Sequence, residues 1–149
     1  MAPVMHEPDR PTLAPVSYPS AQRPWWLIVL ETFVAVQAVY GGISLVLGVW
    51  DLDRRALQRL PILNGWTLPG LSLVVVVAVP MLTAAWLETW AHPKAGLASL
   101  VAGSLLMGWI ALQLVLLPTM RLWLQPVCFV AGAVVAGASL HRLRHRRTR

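Results

Sequence analysis

Charge and cysteine are what this sequence has least of. Charged residues are 12% of its 149, about half the share found in an ordinary soluble domain, and that deficit argues against a chain that must keep a wide surface in water. The one cysteine, Cys128, excludes an internal disulfide and any cysteine-based zinc or iron–sulfur site. Histidine is sparse too. His6, His92, His141 and His145 have no carboxylate at metal-ligand spacing on a helix face. There is no Ser-His-Asp or Cys-His grouping and no glycine-rich phosphate loop. The sequence therefore offers no catalytic residue, cofactor or metal, and an enzyme is not expected. His141 and His145, at i and i+4, are flanked by arginines, whose like charge opposes a bound cation.

What the chain does have is apolar length. It is 57% hydrophobic with a mean hydropathy of +0.64, and the apolar residues fall in four blocks, about 25–50, 68–91, 95–117 and 122–140. Each is long enough for a bilayer crossing, which takes about 20 residues. The expected fold is all-α: a polytopic membrane protein built as an antiparallel bundle of four transmembrane helices. The first block is too long for a signal-peptide core, and "GGISLVLGVWD" is a poor cleavage site, so it reads as a retained helix. Before it, residues 1–24 hold six of the twelve prolines and no apolar periodicity, which predicts a disordered leader.

The cations set the expected orientation. An even number of crossings puts both termini on one side, together with Arg10, Arg23, Lys94, Arg142, Arg144, Arg146, Arg147 and Arg149, leaving Arg54, Arg55, Arg59 and Arg121 opposite. Excess cation marks the cytoplasmic side, so both ends are expected in the cytoplasm of a bacterial cell. Trp25, Trp26, Trp50, Trp66, Trp90 and Trp123 fall near block ends, where aromatic belts form; Trp109 lies deeper. The basic segment 141–149, "HRLRHRRTR", accounts for most of the net charge of +6. Following an apolar block, it suits anionic lipid head groups, at about 1 kcal/mol per cation. No nucleic acid is expected as a partner, since there is no aromatic platform or binding fold to accompany the charge.

Two connections are short, "AHPK" at 91–94 and "LPTMR" at 117–121, so the second, third and fourth helices are expected as sequential antiparallel neighbours. The first loop, 51–70, mixes Asp51, Asp53, Arg54, Arg55 and Arg59 with Leu52, Leu57, Leu60, Ile62 and Leu63. That pattern predicts a short amphipathic helix lying along the membrane interface. Pro80, mid-block, removes a backbone donor and frees the Val76 carbonyl, which predicts a bend.

Helices in a bilayer associate through small residues that let backbones approach. At about 100° per residue, Glu31, Ala35, Ala38 and Gly42 share one face of the first helix. Ala95, Ser99 and Gly103 recur every fourth residue in the third, as do Cys128, Gly132 and Ala136 in the fourth. Glu31 is thus an acid inside an apolar block, on the face that meets a neighbour, about 9 Å in from Trp25 at 1.5 Å per residue. Glu88 lies in the same half of the bundle, beside the mouths of the third and fourth helices with Lys94 and Arg142. Buried ionisable groups must be paired, neutralised or hydrated. The candidate polar site is therefore Glu31, Glu88, Arg142, Lys94 and Ser99. Three roles fit it: a structural pin for helix register, a proton or cation site in a small transporter, or a docking face for another membrane protein or a second copy. A second polar pair, Gln113 and Gln125, has matching depth across the 117–121 turn, which predicts a side-chain amide hydrogen bond, with Gln37 and Tyr40 near the same layer.

"YGGISLVLG", "LPGLSL", "GWIALQ" and "LQPVCFVAG" together resemble a group of uncharacterised small four-helix integral membrane proteins of high-GC Gram-positive bacteria, over about residues 35–137. Eleven arginines against one lysine agree with such a genome. The resemblance implies topology and carries no activity.

Overall fold

The computed structural model describes residues 24–49, 65–116 and 124–147. The proline-rich leader, nearly all of the interfacial segment expected in the first loop, and the 117–121 turn lie outside them. The described residues form four long helices, α1 Trp25–Val46, α2 Thr67–Thr89, α3 Ala95–Leu116 and α4 Leu124–Arg147, with no strand among them. Each is long and apolar enough to cross a membrane.

Specific contacts define the path of the chain. Gly42 of α1 meets Gly70 of α2 near one end of the bundle. Glu88 of α2 meets Ser99 of α3 at the other end, and Gly96 of α3 lies against Leu143 of α4 there. Successive helices therefore run antiparallel. α1 packs most extensively on α2, α3 on α4 next and α2 on α3 after that, while α4 and α1 touch only lightly.

Where the helices stop follows from local chemistry. At the end of α1, Gly48 adopts φ +64°; the Val49 amide donates to the Ser44 carbonyl and the Gly48 amide to Leu45, the paired closing bonds of a glycine-terminated helix. α2 ends with the same bonds, His92 to Leu87 and Ala91 to Glu88, but here the left-handed position, φ +50°, is held by Ala91. Pro93 follows and cannot continue the helix. This tight reversal keeps the last turn of α2 beside the first turn of α3.

Pro80 is accommodated by a wider turn rather than by a simple loss of one bond. Residues Val74–Ala78 form a π-helical turn, in which the Val79 amide donates to the Val74 carbonyl five residues back. Such turns absorb a residue whose partner is missing, and Pro80 has no amide to offer Val76. α4 also departs from expectation. The basic segment 141–149 is not a tail throughout, because α4 continues to Arg147. Arginine is a good helix former, cations suit a helix C-terminus, and the His141 and His145 rings meet edge to face at 4.4 Å.

The bundle is small inside and large outside. Among the described residues, seven of the fifteen buried hydrophobic residues are alanine, whereas Val29, Phe33, Val36, Ile43, Leu71, Val75, Val115 and Val130 point outward. A soluble monomer rarely leaves so much contiguous apolar surface uncovered; in a bilayer the large side chains meet lipid and the small ones let helices close. Gly103 shows how close. A Cβ there would lie 2.8 Å from both the Ala136 amide nitrogen and the Gly132 carbonyl oxygen, backbone atoms that cannot move independently of their helix. Gly137, by contrast, has open space where a Cβ would go.

Gly103→Val should thus separate α3 from α4 and cost at least about 1–3 kcal/mol, the usual penalty of overpacking. Gly137→Val should stay close to wild type, as measured by thermal unfolding in detergent. Ala91→Gly should raise stability by about 0.5–1 kcal/mol, because glycine takes the left-handed conformation without the strain alanine carries.

Candidate functional site

Four polar side chains converge where α1 and α3 begin and α2 and α4 end. Each arrives there by helix geometry. Glu31 is fully buried on the face it shares with buried Ala35, Ala38 and Gly42. Glu88 lies in the last turn of α2, on the stripe of buried Met81, Ala84 and Ala85. Ser99 is buried one turn into α3. Arg142 continues the inward stripe of α4 marked by buried Gly132, Val135 and Ser139, a spacing of three and four residues that keeps one side of a helix.

Glu88 and Arg142 form the ion pair. The Arg142 guanidinium donates from one terminal nitrogen to Glu88 Oε1 at 2.7 Å and from the other to Oε2 at 3.3 Å. The fork-to-fork arrangement joins the ends of α2 and α4, and two parallel charge-assisted bonds make it stronger and more directional than a single contact. Ser99 adds α3 by donating its hydroxyl to Glu88 Oε1 at 3.4 Å. The Glu88 side chain is 6% exposed and that of Arg142 32%. The acid is thus withdrawn from solvent while the base reaches partly out of the bundle, as an arginine with a long apolar stem can.

Glu31 is treated differently. It is 0% exposed, and neither of its carboxyl oxygens makes a hydrogen bond. The guanidinium of Arg142 is committed to Glu88 alone of the two acids.

Lys94, which the sequence offered as an alternative to Arg142, does not join the cluster. Ala91 to Lys94 are all exposed, because the reversal after α2 turns this stretch away from the bundle; the Lys94 amide donates to His92 Nδ1 at 3.2 Å. Gln113 and Gln125 are not joined either. Among the described residues no hydrogen bond links these half-buried amides. Gln113 is in the last turn of α3 and Gln125 in the first of α4, and at partly open helix ends a side-chain amide is not forced to find a protein partner. Gln37 and Tyr40 sit on the outer face of α1 and do not meet that pair. Ser139, buried one turn before Arg142 and bonded to the Val135 carbonyl at 2.8 Å, was not singled out from sequence. Its spacing from Gly132 and Arg142 was the available signal.

Outward-facing tryptophans of two helices lie at the same end as the polar cluster. Trp25 and Trp26 of α1 and Trp86 and Trp90 of α2 are all exposed at this end, with the Trp86 and Trp90 rings 5.7 Å apart. Such rings favour the boundary between hydrocarbon and water, and Glu88 lies between Trp86 and Trp90 along α2. An outer groove lined by Ala35, Val36, Val39, Tyr40, Ile43 and Leu82 is apolar and separate from the acids.

No family model, curated protein or solved structure matches the chain. Among the described residues no group of three or more histidine, cysteine, aspartate or glutamate side chains could hold a metal ion.

Arg142→Ala should lower stability by about 1–3 kcal/mol, less than a wholly buried pair because Arg142 is partly in solvent, since Glu88 would be left as an uncompensated buried charge. Lys94→Ala should change it by less than about 0.5 kcal/mol, as expected of an exposed side chain outside the cluster. Chemical or thermal unfolding of both variants in one detergent compares the two directly.

Proposed function

We propose that the protein is a structural or accessory component of the bacterial cytoplasmic membrane, with both termini in the cytoplasm and no enzymatic activity of its own. The observation that carries this reading is the Glu88–Arg142 fork with Ser99. It spends the strongest polar interaction in the bundle on tying three helices together at one end. A polar group buried among helices holds register and neighbours, which is what a component that must present a constant shape needs. The resemblance to small four-helix membrane proteins agrees with that topology.

The orientation rests on the cations. Arg142 and Arg144 lie at the same end of the bundle as the exposed Trp25, Trp26, Trp86 and Trp90, further arginines follow them in the sequence, and a cation-rich end belongs in the cytoplasm, against anionic head groups. The partner is another membrane protein or a second copy of this chain. α4 favours this, since 17% of its apolar span is buried against 33% for each of the other three, leaving it the most open helix.

A second reading, a small proton-coupled or ion-conducting transporter using Glu31 and Glu88, is favoured by one observation, the unpartnered Glu31 carboxyl. Intramembrane acids of this kind mark proton and ion paths in many membrane proteins.

The accessory reading predicts that gentle detergent extraction yields this chain with a second membrane protein at fixed stoichiometry. Recovery as a homo-oligomer alone, together with proton flux in vesicles that falls to background in Glu31→Gln, would replace it with the transport reading.

A further inference from the structure

The polar cluster does not balance as drawn with every group charged. α1 contributes Glu31, α2 contributes Glu88, α4 contributes Arg142, and α3 contributes the neutral Ser99. Among the described residues, the other basic and titratable side chains at this end, His92, Lys94, His141, Arg144 and His145, are exposed. Two carboxylates against one guanidinium leave one negative charge surplus, and inside an apolar bundle a surplus charge is neutralised rather than tolerated.

The hydrogen bonds say which acid is neutralised. Glu88 accepts from both terminal nitrogens of Arg142 and from Ser99, a set of donors suited to a carboxylate. Glu31 accepts from none, with both oxygens buried. Ser99 has one hydroxyl proton, and it is directed at Glu88. It can still accept a hydrogen bond through its lone pairs, and it is fully buried, like Glu31, at this end of the bundle. A proton on Glu31 completes the chain: Glu31 donates to Ser99, and Ser99 donates to Glu88.

We propose that Glu31 is a binding site for a single exchangeable proton, with Glu88 withheld from that role by Arg142. A proton suits the place better than a metal cation. A hard cation needs about six oxygen ligands, whereas the residues sharing the buried face of α1 with Glu31 are Leu27, Ile28, Val34 and Ala35. Nothing more than Ser99 is needed to receive a proton. The proposal deepens the transport reading but does not require it, because a proton can be bound without being carried.

The test uses the full chain in vesicles of neutral lipid. Infrared difference spectra across a pH series should show one band from a protonated carboxyl. That band should be lost in Glu31→Gln and retained, shifted, in Glu31→Asp. Dicyclohexylcarbodiimide, an apolar reagent for protonated carboxyls, should add once per chain, on the peptide carrying Glu31 rather than on that carrying Glu88, with yield falling at least tenfold toward alkaline pH. Glu31→Gln should fold as well as wild type, since glutamine has the shape of the neutral acid. A carboxyl band that survives in Glu31→Gln would overturn the proposal. So would labelling of Glu88 at equal yield, or no adduct on Glu31 at any pH. Proton flux measured on the same vesicles separates the two ideas: a titrating Glu31 with no flux keeps the proton site and removes transport.

Discussion

The contact between Glu88 and Arg142 is the constraint from which the arrangement of the helix ends follows. Two opposite charges inside an apolar bundle cost several kcal/mol each to desolvate, so the geometry that repays them admits little variation. Here it is a two-pronged approach at 2.7 and 3.3 Å, with a serine completing the acid's hydrogen bonds. For it to form, α2 must end and α4 must pass within side-chain reach across the bundle. α4 must also remain helical beyond its apolar block so that Arg142 keeps the inward direction of Val135 and Ser139.

That pair operates within a scaffold held by close backbone approach. Gly42 against Gly70, and Gly103 against Gly132 and Ala136, bring neighbouring helices together at points where a methyl group would collide with backbone. Without a hydrophobic drive between helices in lipid, such contacts and buried polar groups are what association has to work with. The two kinds of contact occupy different parts of the bundle. Glycine contacts close α1 on α2 far from the acids, and they close α3 on α4 through its middle. The ion pair gathers α2, α3 and α4 at the tryptophan-rimmed end. Glu31, on α1, shares the location without sharing the cation.

The small-residue face of α1 was legible from residue spacing, because the helical repeat alone decides which residues share a side. The stripe on α4 was legible in part: Gly132 was placed on it and Arg142 was named as a partner for the acids, while Ser139 was not singled out and the helical reach to Arg147 was hidden by reading the apolar block as ending at 140. Composition misleads there. A basic segment looks like a solvated tail, yet arginine extends a helix readily, and Leu143 packs against Gly96. Pro80 announced a perturbation of α2 without saying what form it takes, and the π turn at Val74–Ala78 is a choice made by the whole helix in its packing. The amide pair Gln113 and Gln125 failed for a different reason. Equal depth across a turn says nothing about whether two side chains on adjacent helices face each other.

From the sequence alone came the class of molecule, the number of apolar helices and the presence of acids on an inward face. All of these depend on length, composition and a fixed helical period. Which acid receives the guanidinium, and which is left without a donor, was decided only in the folded bundle. Glu31 and Glu88 are 57 residues apart and chemically alike, and nothing local distinguishes them. Their difference arises from where α3 and α4 place one hydroxyl and one arginine, which is a matter of helix crossing and register.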